Sequence, residues 1–503
     1  MGEATFEKLV GVGVYLAALL AIGVVAARRM RDLRDYVVAG KSLGFLSVAF
    51  SARATGESAW LLLGLTGMGA AAGVRAFWVV VGEVIGVAGA WLLLSRRFKR
   101  LTDRYDSLTV PDYLESRFRD NGHRIRVFSA VSLVVFVTIY VSAQIDATGQ
   151  AFERFVGANY FVGALIGFTV VLLYTMGGGL LAVVWSDVFQ GAMMVFGLVL
   201  LPMVGLISIG GPGPLFAGLR EQDPALLSMA GPTGWTPVDI AGLLAFLCIG
   251  IGFLGSPQIF VRFLAMRSES EIRRGAAVAI TWTILADSGA VLIGLLARHM
   301  LGIDGEQALA GLVEHLLPAV FVGLYVAIVL AATMSTADSL LVVASSAAVR
   351  DWYQRVRHPN LSDESLVRAS RLATFAIAIV ALAVAMIIAV ATAERKIFWF
   401  VIFGWSGIAA TFCPTVILSL FWRGFTARGA LAAMIAGFAG VPLFKFAAPA
   451  LPGELGAFFA ALEELAPAFV LSALVGVIVS RFDPRGRDTL AAAVDDELRE
   501  AAT

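Results

Sequence analysis

Only two cysteines and four histidines occur in the 503 residues, and that shortage removes whole classes of chemistry. Cys248 and Cys413 each fall inside a long apolar run, so neither a disulfide framework nor a thiolate zinc cluster is available. The histidines form no metal-binding group and no nucleophile motif accompanies them, so an enzyme is not expected. Charge is scarce as well: Asp, Glu, Lys and Arg make up 15% of the chain and nearly cancel to +1, which gives no bulk attraction for nucleic acid. Hydrophobic residues fill the space that is left, at 59% with a mean hydropathy of +0.85. That balance excludes an ordinary soluble protein and implies an all-α integral membrane protein with many spans.

Apolar segments of roughly 20 residues predict thirteen spans, near 5–27, 45–71, 76–96, 124–152, 157–179, 186–208, 237–264, 275–298, 316–348, 370–392, 398–421, 428–448 and 465–481. The first run, Leu9 to Val25, lacks a basic leader and a small-residue cleavage site, so it reads as a retained span. Alternate connections carry 29 of the 38 Lys and Arg, in 28–44, 96–126, 262–274, 350–371, 423–428 and the tail after 480. The positive-inside rule then puts the N-terminus outside and the C-terminus in the cytoplasm of a plasma (inner) membrane protein. One transporter domain over 1–481, with its core near 45–421, precedes a tail over 482–503. The tail reads as a surface helix from Asp488 onward and is too short for a sensor domain. The outer connection 209–236, with Gly210-Gly211-Pro212-Gly213-Pro214 and Gly231-Pro232, reads as a loop.

Polar residues inside the oil carry the functional signal. Ala332, Ser335, Thr336 and Ser339 fall at i, i+3, i+4 and i+7 of the ninth span, with Asp338 beside them. Hydroxyl, carboxylate and freed carbonyl oxygens suit a small hard cation, and an intramembrane carboxylate is a functional-site hypothesis by default. Two spans look broken. Ser51 to Ser58 places Arg53, Gly56 and Glu57 in the second, and Gly250 to Gln258 places three glycines and Pro257 in the seventh. The two breaks lie five spans apart and run in opposite directions, the pattern of an inverted repeat that holds a substrate at the midplane. Half-helix N-termini there suit a solute carboxylate. Arg53 and Glu57, at i and i+4, also fit a simple neutralising pair, and Asp187 fits an N-cap. Glu83, Gln144, Asp146 and Asp287 are further polar groups within spans, and Trp78, Trp282, Trp399 and Trp405 read as interface anchors or packing.

Five ordered motifs carry a resemblance. They are Asp35-Tyr36 through Lys41-Ser42-Leu43, Thr109 through Pro111-Asp112-Tyr113 to Arg117-Phe118, Gly178-Gly179 through Trp185-Ser186-Asp187 to Gln190, Gly255 to Gln258 with Arg262-Phe263, and Trp422 to Gly429. Together they resemble the sodium/solute symporter family, and within it the bacterial sodium/proline symporter branch. The resemblance implies a LeuT-type core of inverted five-helix repeats, alternating access, and import of a small organic solute with Na⁺, an amino acid such as proline or another small carboxylate. It also implies a Na⁺ site made by the carbonyls of Ala54, Glu57 and Ala332 with the hydroxyls of Ser335 and Thr336. A second cation site falls on Asp187, Ser335, Asp338 and Ser339, and solute contacts on Ser58, Phe253 and Pro257. The chain departs from the proline branch at Gly56, where that branch has Asp, at Glu57, where it has Met, and at Phe253, where it has Tyr. Glu57 or Asp338 would serve a proton-coupled carrier of the same fold, and a transporter-like sensor is the third reading.

Overall fold

The computed structural model describes residues 3–29, 33–231, 234–358, 360–392 and 396–502. Arg31, counted above among inner basic residues, and Pro232 of the outer loop lie outside them. Every long element is a helix: α1 (Glu3–Ala27), α2 (Phe45–Ala59), α3 (Phe77–Gly89), α4 (Arg124–Ala151), α5 (Tyr160–Ser208), α6 (Pro237–Cys248), α7 (Pro257–Ala265) and α8 (Ile272–Leu301). They are followed by α9 (Ala319–Ser346), α10 (Asp363–Ala391), α11 (Ile397–Phe421), α12 (Ala427–Pro442), α13 (Leu465–Arg481) and α14 (Pro484–Ala502). Among the described residues there is no strand, only a bridge in which the Leu43 N–H donates to Ala265 O and Leu43 O accepts from Arg267 N–H. All-helical crossing follows from the solvent, since in hydrocarbon the backbone must satisfy its own polar groups.

Counted as unbroken helices, ten segments of the described residues are long and apolar enough to cross, or eleven with the bent pair Glu454–Leu462 and Leu465–Arg481. This is not the thirteen the sequence predicts. The difference lies in two runs, Phe45–Arg104 with 60 residues and Tyr160–Ser208 with 49. At 1.5 Å per residue each far exceeds the ~30 Å hydrocarbon layer. Each turns within itself at a glycine in the left-handed region, Gly73 (φ 64°) and Gly179 (φ 54°), while helical hydrogen bonding continues on either side. The outer connection is also more regular than a loop: Pro212, whose fixed φ suits a first helical position, opens a helix to Gln222. The tail helix starts at Pro484, earlier than Asp488, and seats Leu490, Val494 and Leu498 against the protein.

Helix α9 is the centre of the bundle. From Tyr325 to Ser346 every side chain is buried, and α9 packs against α1, α2, α4, α5 and α10. The predicted inner connections gather at one end of the bundle, tied by Arg34–Asp106 and Lys41–Asp103 (both 3.1 Å), Arg100–Glu269 (2.5 Å) and the tail pair Arg104–Glu500.

Both expected breaks are present, and other helices satisfy the backbone they free. Residues 51–57 of α2 stay helical and the break falls at Ser58 (φ 14°, ψ −163°), followed by a π-helical stretch over Trp60–Leu65. Gly56 O then accepts from Trp60 Nε1 (3.0 Å), and Gln144 Oε1 of α4 accepts from the Ala59 N–H (3.1 Å). Between α6 and α7 the chain tightens into a 3₁₀ stretch over Ile249–Leu254. There Ile249 O accepts from Trp405 Nε1 (3.0 Å) and Gly252 O from the Cys413 thiol (3.3 Å). The unwound stretch lies backbone to backbone on α3: a Cβ on Gly250 would sit 1.9 Å from Gly82 O, and one on Gly86 1.9 Å from Gly250 O. Gly250→Ala is therefore expected to destabilise the carrier by about 1–3 kcal/mol through overpacking, read as a lower thermal midpoint in detergent. An unchanged midpoint would show that this contact is loose.

Candidate functional site

The buried hydroxyls of α9 point at the carbonyls of α2. Ser335 Oγ donates to Ala54 O (2.9 Å) and to its own helix at Ala332 O (3.2 Å), and Thr336 Oγ1 donates to Thr55 O (2.9 Å). Three of the predicted ligand oxygens, those of Ala54, Ala332 and Ser335, thus converge on one point, and all five residues are buried. The structure adds Thr55, whose carbonyl meets Thr336 where the sequence reading has only Glu57. A ring of hydroxyl and carbonyl oxygens spanning two helices can bind a desolvated hard cation in place of these hydrogen bonds.

One turn further along, Asp187 of α5 is not a helix cap. It sits eight residues past the Gly179 kink inside α5, and Ser186 Oγ bonds back to Ala182 O (2.9 Å) as a mid-helix serine does. Asp187 Oδ2 accepts from Ser51 Oγ (2.5 Å) and faces the guanidinium of Arg262 at 3.1 Å. The same guanidinium reaches Ser339 Oγ (2.5 Å), Thr55 Oγ1 (2.8 Å), Ser51 Oγ (3.1 Å) and Gln258 O (2.5 Å). Asp338 Oδ2 accepts from Tyr174 OH (2.6 Å), while its Oδ1 has no hydrogen-bond partner among the described residues. Four predicted residues, Asp187, Ser335, Asp338 and Ser339, are therefore brought to one buried region of α5 and α9, with Arg262 between Asp187 and Ser339. Sequence reasoning quoted Arg262 as part of a motif and missed it as a site residue. A lone arginine five residues past the helix-starting Pro257 was the available signal, since a charge that deep needs a partner.

Of the solute candidates, Ser58 and Phe253 lie at the two breaks. Tyr140 OH donates to Ser58 Oγ (3.5 Å), and the Phe253 ring rests on Trp405 with centroids 5.0 Å apart. Pro257 opens α7 and lines a separate narrow cavity with Val37, Pro111, Leu133 and Asp351. Phe253 also explains Gly56, because a Cβ there would come within 2.6 Å of its ring. Trp282 and Trp405 are buried packing residues and not interface anchors: Trp282 Nε1 donates to Gly191 O (3.1 Å). Asp146 and Gln144 have structural partners, Tyr160 OH donating to the former at 2.7 Å. Arg53 and Glu57 do pair, but within a larger buried group that includes Glu83 and Asp287.

The chain has known relatives. The model of the sodium:solute symporter family matches residues 36–437. The high-affinity proline transporter PutP of Bacillus subtilis (strain 168) is 37% identical over 469 residues, 92% of this chain and 95% of that protein. The sodium/proline symporter of Escherichia coli (strain K12) is 33% identical over 479 residues, 93% of this chain and 91% of that one. Among solved structures, a Na⁺-coupled sialic acid symporter in a substrate-bound outward-open state superposes with a TM-score of 0.78 at 19% identity, covering 96% of this chain and 98% of that one. At that identity the likeness shows the fold, the LeuT-type core that the family resemblance implies. The chain belongs to the sodium:solute symporter family and is a multi-pass plasma-membrane carrier that moves a small organic solute together with Na⁺.

Proposed function

We propose that the carrier imports a small amino acid or other small carboxylate, with proline the first candidate, and that Na⁺ binds between the break of α2 and the middle of α9. The observation that carries this reading is the pair of contacts from Ser335 and Thr336 to the carbonyls of Ala54 and Thr55. Na⁺ would take the carbonyls of Ala54, Glu57 and Ala332 and the hydroxyls of Ser335 and Thr336. The two relatives named for proline support the solute class. Ser58 and Phe253 border the broken helices, whose freed N-termini suit a carboxylate, and Pro257, which opens α7, would complete the solute contacts. A second cation would take Asp187, Ser335, Asp338 and Ser339, a position whose Asp187 and Ser339 side holds the Arg262 guanidinium.

Mechanistically, a cation bridging α2 and α9 fixes the helix that shapes the solute pocket, so Na⁺ and solute strengthen each other's binding by the same factor. One charge moving inward gains about 2.3 kcal/mol per 100 mV of membrane potential, which with the Na⁺ gradient drives accumulation. The gathering of the basic connections at one end of the bundle supports an outside N-terminus and a cytoplasmic C-terminus.

The test is uptake of radiolabelled L-proline into proteoliposomes. Accumulation is expected under an inward Na⁺ gradient and not under K⁺. Equal uptake in both salts would remove Na⁺ coupling, and no uptake in either, with other small carboxylates accumulating, would remove proline alone.

A further inference from the structure

Where α1 ends, two arginines stand without an acidic partner. Arg34, Lys41 and Arg267 of the predicted inner connections are held by Asp106, Asp103 and Glu271, whereas Arg28 and Arg29, just past Ala27, have no ion pair among the described residues. Both are exposed, and the Arg29 guanidinium lies 4.9 Å over the Trp185 ring of α5. They line an open cavity of about 780 Å³ between the end of α1, the start of α2 and the part of α5 just past its kink. Ser42, Ser47 and Trp185 line it too, with one carboxylate, Asp35. Asp35 Oδ1 lies against the turn at Gly40, 3.0 Å from where a Cβ would sit there. Two cations against one anion leave the cavity positive.

Both walls of the cavity continue into oil. One turn deeper, α1 presents Val24 (53% exposed) and Val25 (46%), four residues before Arg28 and Arg29, and α5 presents Phe189 (36%), four residues after Trp185. Phe189 stacks on Tyr15 with centroids 6.2 Å apart, so the two helices are neighbours. Each wall thus runs from bare apolar side chains in the hydrocarbon to a cation or an indole at its edge, where tryptophan prefers to lie. The planar fork of arginine matches phosphate, and basic pockets between spanning helices suit anionic headgroups. A free anion in water would use the arginines but leave both apolar columns without a role. A cation is disfavoured by the two guanidinium groups.

We infer that this cavity binds the phosphate headgroup of an anionic phospholipid, held by Arg28 and Arg29 with Ser42 and Ser47 as further donors, and that the acyl chains lie along α1 and α5. Ser47 is one turn ahead of Ser51, and Trp185 is two residues ahead of Asp187, so the lipid joins the ends of α1, α2 and α5 beside the Ser51–Asp187 contact. The site depends on neither the solute nor the coupling ion.

The experiment therefore uses the full chain purified in detergent, in K⁺ buffer without solute, titrated with phosphatidylglycerol, with phosphatidylcholine of the same acyl chains, and with inorganic phosphate. Phosphatidylglycerol is expected to raise the thermal midpoint by about 5 °C near saturation, and native mass spectrometry to show one retained copy. Phosphatidylcholine and inorganic phosphate at the same concentrations should not match that rise. Arg28→Gln with Arg29→Gln should lose most of the response and the retained lipid, yet melt like the wild type in phosphatidylcholine. The lysine pair, which keeps the charge without the fork, should fall between. Arg273→Gln with Arg274→Gln, an exposed pair at the start of α8, should keep the full response. Equal rises with both phospholipids, or a full response in the Arg28 and Arg29 glutamine variant, would overturn the inference. So would an equal loss in the Arg273 and Arg274 variant, which would reduce the effect to general surface charge, or a full rise with inorganic phosphate alone, which would make the cavity a site for a free anion.

Discussion

Alanine at Ser335 or Thr336 is expected to raise the Na⁺ concentration for half-maximal uptake by about 10- to 100-fold, with the protein still folded. Each hydroxyl supplies one oxygen at the junction of α2 and α9. A buried bond to a charged group contributes about 1.5–3 kcal/mol, and every 1.4 kcal/mol is tenfold in a binding constant. The loss falls on Na⁺ and on solute together, because occupancy of one is linked to the other. Thr336→Ser keeps the oxygen and is expected to stay near wild type, which separates ligation from helix packing. The measurement is Na⁺-dependent uptake in proteoliposomes, backed by the Na⁺-induced rise in thermal midpoint. Wild-type Na⁺ dependence in both alanine variants would sink the assignment of this junction as the cation site.

Ser335 and Thr336 were legible in the sequence because hydroxyls and a carboxylate inside the apolar run of α9 make a local contradiction, and helical spacing alone puts them on one face. The breaks were legible for a similar reason. Gly250, Gly252, Gly255 and Pro257 cannot sustain a regular helix at that depth unless something else satisfies the backbone. What satisfies it was not legible, because the donors Trp405 and Cys413 come from α11, more than 150 positions along the chain. The pairing of Arg262 with Asp187, and of Arg53 with Glu83, is likewise tertiary, and a sequence shows that a buried charge exists without showing its partner. The span count differs from the helix count on continuity. Apolar run lengths divide at Gly73 and Gly179, whereas helical hydrogen bonding carries on across both.

The largest loss of stability is expected at Arg262. Its guanidinium is fully buried and is the cation nearest Asp187, touching Ser51, Thr55 and Ser339 as well. Removing one partner of a buried ion pair strands the other, at a cost of about 3–5 kcal/mol. Arg262→Ala should therefore lower the thermal midpoint steeply, and Arg262→Lys, which keeps the charge but loses the planar fork, should fall between the two. Adding Asp187→Asn to Arg262→Ala should restore part of the loss, because the stranded carboxylate is gone and the two changes are coupled through direct contact. Sodium distinguishes this site from an ordinary structural ion pair. With the guanidinium gone, Asp187, Asp338, Ser335 and Ser339 present anionic and hydroxyl oxygens to a cavity that Na⁺ can enter, so rising Na⁺ should rescue Arg262→Ala more steeply than it stabilises the wild type. The double variant, with one carboxylate fewer, should lose most of that extra response. If Arg262→Ala melted like the wild type, or if its deficit ignored both Na⁺ and Asp187→Asn, the guanidinium would not be holding the place of a cation.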